Sequence, residues 1–216
     1  MKAPQECKWC IPPDFDISIR NNLKWNNPVI ADQISNVLAY GIIPASALSL
    51  AIIPSVYNKS SHHALENAAI IFNSTLLAIN ITSYTKVIID RERPAAHYNN
   101  TSVTWLKSHP NEKYVSFFSG HTAVTFALIS SITTVGALRG YSWTPYAGII
   151  GGTLAATTGI LRIGADLHYA TDVITGALIG TGIGAGFPLL FHPRKQESLP
   201  ISISAGTSQI QIAGIF

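Results

Sequence analysis

Charge is scarce in this chain. Only 12% of its 216 residues are Asp, Glu, Lys or Arg, where soluble domains carry about 25%. A surface so short of ions is either tucked into a compact helical bundle or turned toward lipid. Fourteen Lys and Arg against eleven Asp and Glu leave a net charge of +3. No basic run accompanies it, which argues against a nucleic-acid partner. Cysteine is nearly missing: Cys7 and Cys10 form the string CKWC. A zinc site needs two more ligands nearby, and none is evident. A redox dithiol would open a helix after a strand, whereas this one precedes Pro12 and Pro13. A local disulfide in an oxidising compartment or two idle thiols remain. Residues 1–28 are polar and lack the apolar stretch of a secretory leader, so none is expected there.

Long apolar runs are what the chain has instead. Five segments carry almost no charge: 37–57, 68–85, 122–138, 141–161 and 173–191. Each is close to the ~20 residues that cross a bilayer as a helix. They are rich in Gly, Ala, Ser and Thr, which permit close helix contact. Asn73 and Asn80 dilute the second run, so a soluble helical bundle stands as the alternative to a membrane-embedded one. The length suits one domain with a sizeable core. The expected fold is all-α, a bundle of about five long helices at 29–193, after a polar N-terminal segment at 1–28. The tail 194–216 alternates apolar and polar residues from Ile201 onward, a strand or hairpin pattern. Residues 91–116 are polar and read as a long functional loop. The N-x-S/T triplets at Asn58, Asn73, Asn80, Asn99 and Asn100 read as chance matches.

The few charges gather at the ends of the apolar runs. The second run closes with KVIIDRERP, where Lys86 and Arg93 stand seven apart and are expected to share a helix face before Pro94 ends the helix. The third opens with SFFSGH, placing Ser119, Gly120 and His121 at a helix N-terminus, where free N–H groups seat anions. The fourth ends at Arg162, and the fifth begins around His168 and Asp172, an i, i+4 pair. If the helices alternate in direction, all these residues converge at one end. Three cations, a helix N-terminus, two His and an Asp suit a phosphate-like anion.

Lys86-x6-Arg93-Pro94, then Ser119-Gly120-His121, then Arg162-x5-His168-x3-Asp172 resembles the three-part motif of the type 2 phosphatidic acid phosphatase superfamily. That superfamily takes in lipid phosphatases, bacterial acid phosphatases and vanadium haloperoxidases. Phe118 and Leu161 depart from it, standing where the family usually has Pro and Ser. The resemblance implies that His168 attacks phosphorus and Asp172 holds its tautomer, while His121 protonates the leaving oxygen. It assigns the phosphoryl oxygens to Lys86, Arg93, Arg162, Ser119 and Gly120, with no metal or other cofactor. The implied substrate is a phosphomonoester or pyrophosphate, most naturally of a lipid: phosphatidic acid, phosphatidylglycerol phosphate, undecaprenyl pyrophosphate or lipid A phosphate. A soluble periplasmic acid phosphatase, a haloperoxidase and a non-catalytic lipid- or anion-binding protein are the alternatives.

With the site at one membrane face, Lys59, Arg139, Arg194 and Lys195 fall on the other. By the positive-inside rule that suits a bacterial inner-membrane protein with an extracytoplasmic site, although Arg20 and Lys24 lie on the site's side. His62, His63, His97, His109 and His192 have no such company and read as surface or loop residues. Arg91 and Glu92 read as solvated neighbours, with Asp90 and Arg91 close enough to lean into the pocket, and Asp166 as a loop residue. Oligomeric state has no signature here.

Overall fold

A computed structural model of the chain describes residues 4, 6–57, 61–192, 201–205 and 210–214. The fold is all-α. A short helix α1 (Asp14–Leu23) leads into α2 (Pro28–Val37), which continues through a π turn (Leu38–Ile42) into α3 (Ile43–Tyr57). Then come α4 (Ser61–Ile89), α5 (Pro94–His97), α6 (Thr104–Ser108), a 3-10 turn (Pro110–Glu112), α7 (Gly120–Leu138), α8 (Thr144–Gly164) and α9 (Ala170–Phe191). Strands β1 (Ile201–Ala205) and β2 (Ile210–Gly214) pair with each other, antiparallel, as the alternating tail suggests.

Among the described residues, five helical stretches are long and apolar enough to cross a membrane: Pro28–Pro54, His63–Ile89, Gly120–Leu138, Thr144–Gly164 and Ala170–Phe191. The first starts nine residues before the apolar run expected at 37–57. Pro28 at its first turn presets the helical φ. Its polar residues Asp32, Ser35 and Asn36 are compatible with a span because they bond protein groups, as described below. Asn73 and Asn80 fit for a local reason: each side chain donates to the carbonyl four residues back, Ala69 and Leu76, at 2.8 Å. A polar group satisfied on its own helix costs little in lipid. Residues 91–116 are not a bare loop, since α5, α6 and the 3-10 turn lie within them.

α7 is the centre of the bundle, with α9, α8, α4 and α3 around it. Its partner α9 turns a stripe of glycines toward it. A Cβ at Gly176, Gly180 or Gly184 would lie 2.7, 2.3 or 2.4 Å from the carbonyl oxygens of Ser119, Ala123 and Ala127. Backbone therefore packs on backbone, the small-residue geometry of membrane helices. The outer faces are apolar and exposed: Ile52, Phe72, Ile81, Ile149, Leu178 and Leu190 are examples.

Helix directions alternate, so the C-terminus of α4 and of α8 meets the N-terminus of α7 and of α9 at one end. Arg139 marks the other end, bonded there to Glu66 and, at 3.1 Å, to Asn67. Glu66 and Lys86 both lie on α4. The twenty-residue step from one to the other rises ~30 Å, the hydrocarbon thickness of a bilayer.

Candidate active site

α4 stops at Ile89 because Asp90 takes a left-handed conformation, φ 49°, and Arg93 is extended before Pro94. Lys86 and Arg93 therefore do not share a helix face as expected: Lys86 sits on the last turn and Arg93 reaches in from the following extended stretch. They still converge electrostatically, together with Arg162. Lys86 Nζ lies 3.7 Å from where a Gly120 Cβ would be, so the absent side chain leaves it room at the start of α7.

His168 is at the bottom of this end, 1% exposed, in the turn between α8 and α9. Its Nε2 lies 3.2 Å from Arg93 Nη1. A guanidinium only donates, so Nε2 accepts and carries the lone pair, which assigns the proton to Nδ1. Nδ1 faces Asp172 Oδ2 at 3.5 Å, longer than a formed hydrogen bond. Burial, then Arg93, Arg162 and Lys86, push the imidazole well below its ordinary range, so it is neutral at neutral pH. Arg93 is pulled down to about 10 by burial first and Arg162 second, and stays charged. Its other contacts are the Leu167 carbonyl at 3.0 Å and both the carbonyl and carboxylate of Glu112, at 2.8 and 3.2 Å.

Ser119 is fully buried and its N–H is committed to the Asp172 carbonyl at 3.1 Å. Its Oγ accepts from Thr122 at 2.9 Å, which leaves its own hydroxyl proton free to donate. The unpaired N–H groups of the α7 first turn therefore begin at Gly120. The eight residues of the motif thus lie at one end of the bundle, as the alternation of the helices implies.

Several residues at this end had no place in the motif. Asp32 and Ser35 of α2 hold Arg162 Nη1, the serine at 3.2 Å, while Arg162 Nε is buried with no hydrogen-bond partner among the described residues. Asn36 Oδ1 lies 2.7 Å from His121 Nε2, and the Tyr40 ring meets the His121 ring at 4.8 Å. Asp32 and Asn36 sit four apart on a mainly apolar helix, the one local signal that could have found them.

Three expectations are corrected. Arg91 is not solvated: it is 1% exposed and bonds Asp16, Thr171 and Asp172. Asp166 is not a mere loop residue, since Arg20 grips both its oxygens at 2.6 and 2.8 Å and Asn100 adds a third bond at 2.6 Å. His192 is buried at the end of α9 rather than on the surface. Asp90 turns away to Lys8 at 2.6 Å. Glu92 pairs with His97 at 3.0 Å, and His109 stacks on Trp105. The His62 side chain lies outside the described residues, as do Lys59, Arg194 and Lys195. Cys7 and Cys10 are joined in a disulfide.

A cavity of about 540 Å³ opens beside Lys86 and His121. It starts at Lys86, Gly120 and His121 and runs between α3, α4 and α7 past Thr75 to Phe72. Below Lys86 its walls are mostly apolar, interrupted by the hydroxyls of Thr75, Thr82 and Ser83. From Lys86 to Phe72 along α4 is fourteen residues, a depth of ~21 Å.

The PAP2 superfamily model matches residues 67–196, which include all eight motif residues. A lipid A 1-phosphatase of Porphyromonas gingivalis is 41% identical over 112 residues, covering 44% of this chain and 24% of that protein. The chain thus spans about a quarter of the length of the curated relative it matches. No solved structure matches. With the family model covering more than half of its length, and the cations and histidines of the motif at one end of its bundle, the chain belongs to the PAP2 superfamily.

Proposed function

We propose that this protein is a membrane phosphatase that removes phosphate from a lipid phosphomonoester or pyrophosphate through a phosphohistidine, without a metal, with residues 29–193 as the catalytic bundle. The observation that carries this reading is the mostly apolar cavity leading away from Lys86 and His121. It gives a headgroup phosphate and a hydrocarbon tail adjoining places. The named relative acts on lipid A, in keeping with a lipid substrate.

In this mechanism the phosphoryl oxygens take over Arg93, Lys86, the buried Arg162 Nε and the Gly120 N–H. These donors offset charge as it develops on the transferring group. His168 Nε2, freed from Arg93, attacks phosphorus in line with the leaving oxygen. The N–P bond forms, the P–O bond breaks, and His121 delivers a proton to the departing alkoxide or phosphate. Water then attacks the phosphohistidine while His121 takes its proton, and free phosphate leaves with His168 neutral again. Asp172 keeps the Nδ1 proton aimed, the orienting role of a triad carboxylate.

The disulfide supports an oxidising, extracytoplasmic face for the site. Arg139 at the far end agrees with a cytoplasmic side there. Of the two exceptions on the catalytic side, Arg20 is neutralised by Asp166, while Lys24 is exposed.

The test is phosphate release by purified protein in detergent with EDTA. Long-chain lipid phosphates are run beside p-nitrophenyl phosphate, for wild type, His168→Ala and Thr75→Phe. We expect release that survives EDTA and vanishes in His168→Ala. Thr75→Phe, filling the cavity midway, is expected to lose the lipids and keep p-nitrophenyl phosphate. An active His168→Ala sinks the nucleophile. Undiminished lipid turnover by Thr75→Phe sinks the cavity as the tail site and favours a soluble-type phosphatase.

A further inference from the structure

The motif accounts for His168 and Asp172 but not for what fixes Asp172. That carboxylate is fully buried and has a donor on every side. Oδ2 accepts from Ser116 Oγ at 2.6 Å and from the Tyr169 N–H at 2.9 Å, and is the oxygen that faces His168. Oδ1 is bonded to Arg91 Nη1. Among the described residues Arg91 is the one cation bonded to Asp172.

Arg91 is in turn held by the N-terminal segment. Its Nη2 bonds Asp16 Oδ2 at 2.6 Å, while Nη1 also reaches Thr171 Oγ1 at 2.7 Å. Asp16 closes the ring by accepting the Thr171 N–H at 2.8 Å and its hydroxyl at 2.6 Å. The guanidinium carbon sits over two rings, 3.8 Å from the centre of Trp9 and 4.5 Å from that of Tyr169. Trp9 is pinned by its own backbone, accepting from the Glu92 N–H at 3.2 Å and bridging to Arg91. The Cys7–Cys10 disulfide closes a four-residue ring around it.

We propose that Arg91, clamped by Trp9 and Asp16, is a positioning residue for Asp172, so that residues 7–16 belong to the catalytic apparatus. The inference rests on His168 being the nucleophile. The fork of a guanidinium spans two carboxylates at once, which a lysine ammonium on a single stem does not. With the fork in place Asp172 cannot rotate, and Oδ2 stays on the Nδ1 side of His168. Without it the buried carboxylate loses its compensating charge and its aim.

The test compares wild type with Arg91→Lys and Trp9→Leu, the latter leaving both carboxylates and the guanidinium in place. Phosphate release gives kcat and KM separately, and the Nδ1 resonance of 15N-labelled His168 reports its hydrogen bonding. Arg91→Lys is expected to lose ~10–100-fold in kcat, the usual effect of removing a partner that orients a functional side chain, with KM within twofold. Trp9→Leu is expected to lose ~3–30-fold in kcat, the value of a desolvated cation–π contact. Both are expected to shift the Nδ1 resonance. Folded Arg91→Lys with kcat within twofold of wild type and an unmoved resonance overturns the proposal. So does an equal loss in kcat and rise in KM tracking a lower melting temperature, which marks a structural role alone. If wild type releases no phosphate from any substrate, the functional reading fails, and the resonance still decides whether Arg91 aims Asp172.

Discussion

Gly180 is the position where a single methyl group tests how closely the two halves of the site are tied. A Cβ there would stand 2.3 Å from the Ala123 carbonyl oxygen, where ordinary contact begins at 3.4 Å. The obstacle is backbone, so no side chain can swing aside. α7 and α9 must part by about 1 Å, and overpacking of this kind costs ~1–3 kcal/mol. For a chain of this size that lowers the melting temperature by ~2–12 °C. The same parting separates Ser119 and His121 on α7 from Asp172 on α9, which the Ser119 N–H now ties at 3.1 Å. A misplacement of ~1 Å costs ~100-fold in rate. Thermal melting in detergent and phosphate release, measured on one preparation of Gly180→Ala, are expected to show both losses. Gly182→Ala is the control: nothing lies within 4 Å of its Cβ, so it is expected to be neutral or up to ~1 kcal/mol more stable through helix propensity. A Gly180→Ala protein with unchanged melting and turnover would refute the close seam between α7 and α9.

Asn36→Leu removes the polar partner of His121 Nε2 and is expected to lower kcat ~10-fold or more, read by phosphate release across pH; an unaltered profile would show that Asn36 does not serve His121. Glu112→Gln frees Arg93 Nη2 from a partly exposed carboxylate, so inorganic phosphate is expected to inhibit ~2–5-fold more tightly, the range of a solvent-exposed ion pair. His168 makes stability depend on pH with a definite sign. The folded chain holds it neutral far below the ordinary 6.5, so below that pH the unfolded chain binds a proton the folded one refuses. Stability is complete above about pH 6.5 and falls by up to ~1.4 kcal/mol per unit of acidification, until the buried ring itself protonates. His168→Asn is expected to flatten that slope in a melting series from pH 7.5 to 5.

The five spans and the convergence of their charged ends were legible because both depend on short-range regularities. Apolar length reveals the spans, and alternation brings Lys86, Arg162, Gly120 and Asp172 to one end. The face shared by Lys86 and Arg93 was misread because one left-handed residue, Asp90, ends the helix early. The supporting residues were hidden for a different reason. Arg20 meets Asp166 across 146 positions, Arg91 meets Asp16 across 75, and Arg162 meets Asp32 across 130. No spacing rule reaches that far, and an isolated Asp or Arg near a helix end looks the same whether it faces water or a buried partner. The polar pair Asp32 and Asn36 shortened the apparent first span instead of marking a second contribution to the site.

The charged groups at the two ends of α4 stand one hydrocarbon thickness apart. In the proposed orientation this puts Lys86, Arg93 and His168 at the depth of lipid headgroups, neither in bulk water nor in the acyl interior. In the proposed mechanism a lipid phosphate then meets His168 without leaving its leaflet. The concentration that governs turnover is therefore two-dimensional, the fraction of headgroups bearing a phosphate. Diluting vesicles tenfold in buffer leaves that fraction untouched, whereas diluting the substrate with inert lipid lowers the rate in proportion.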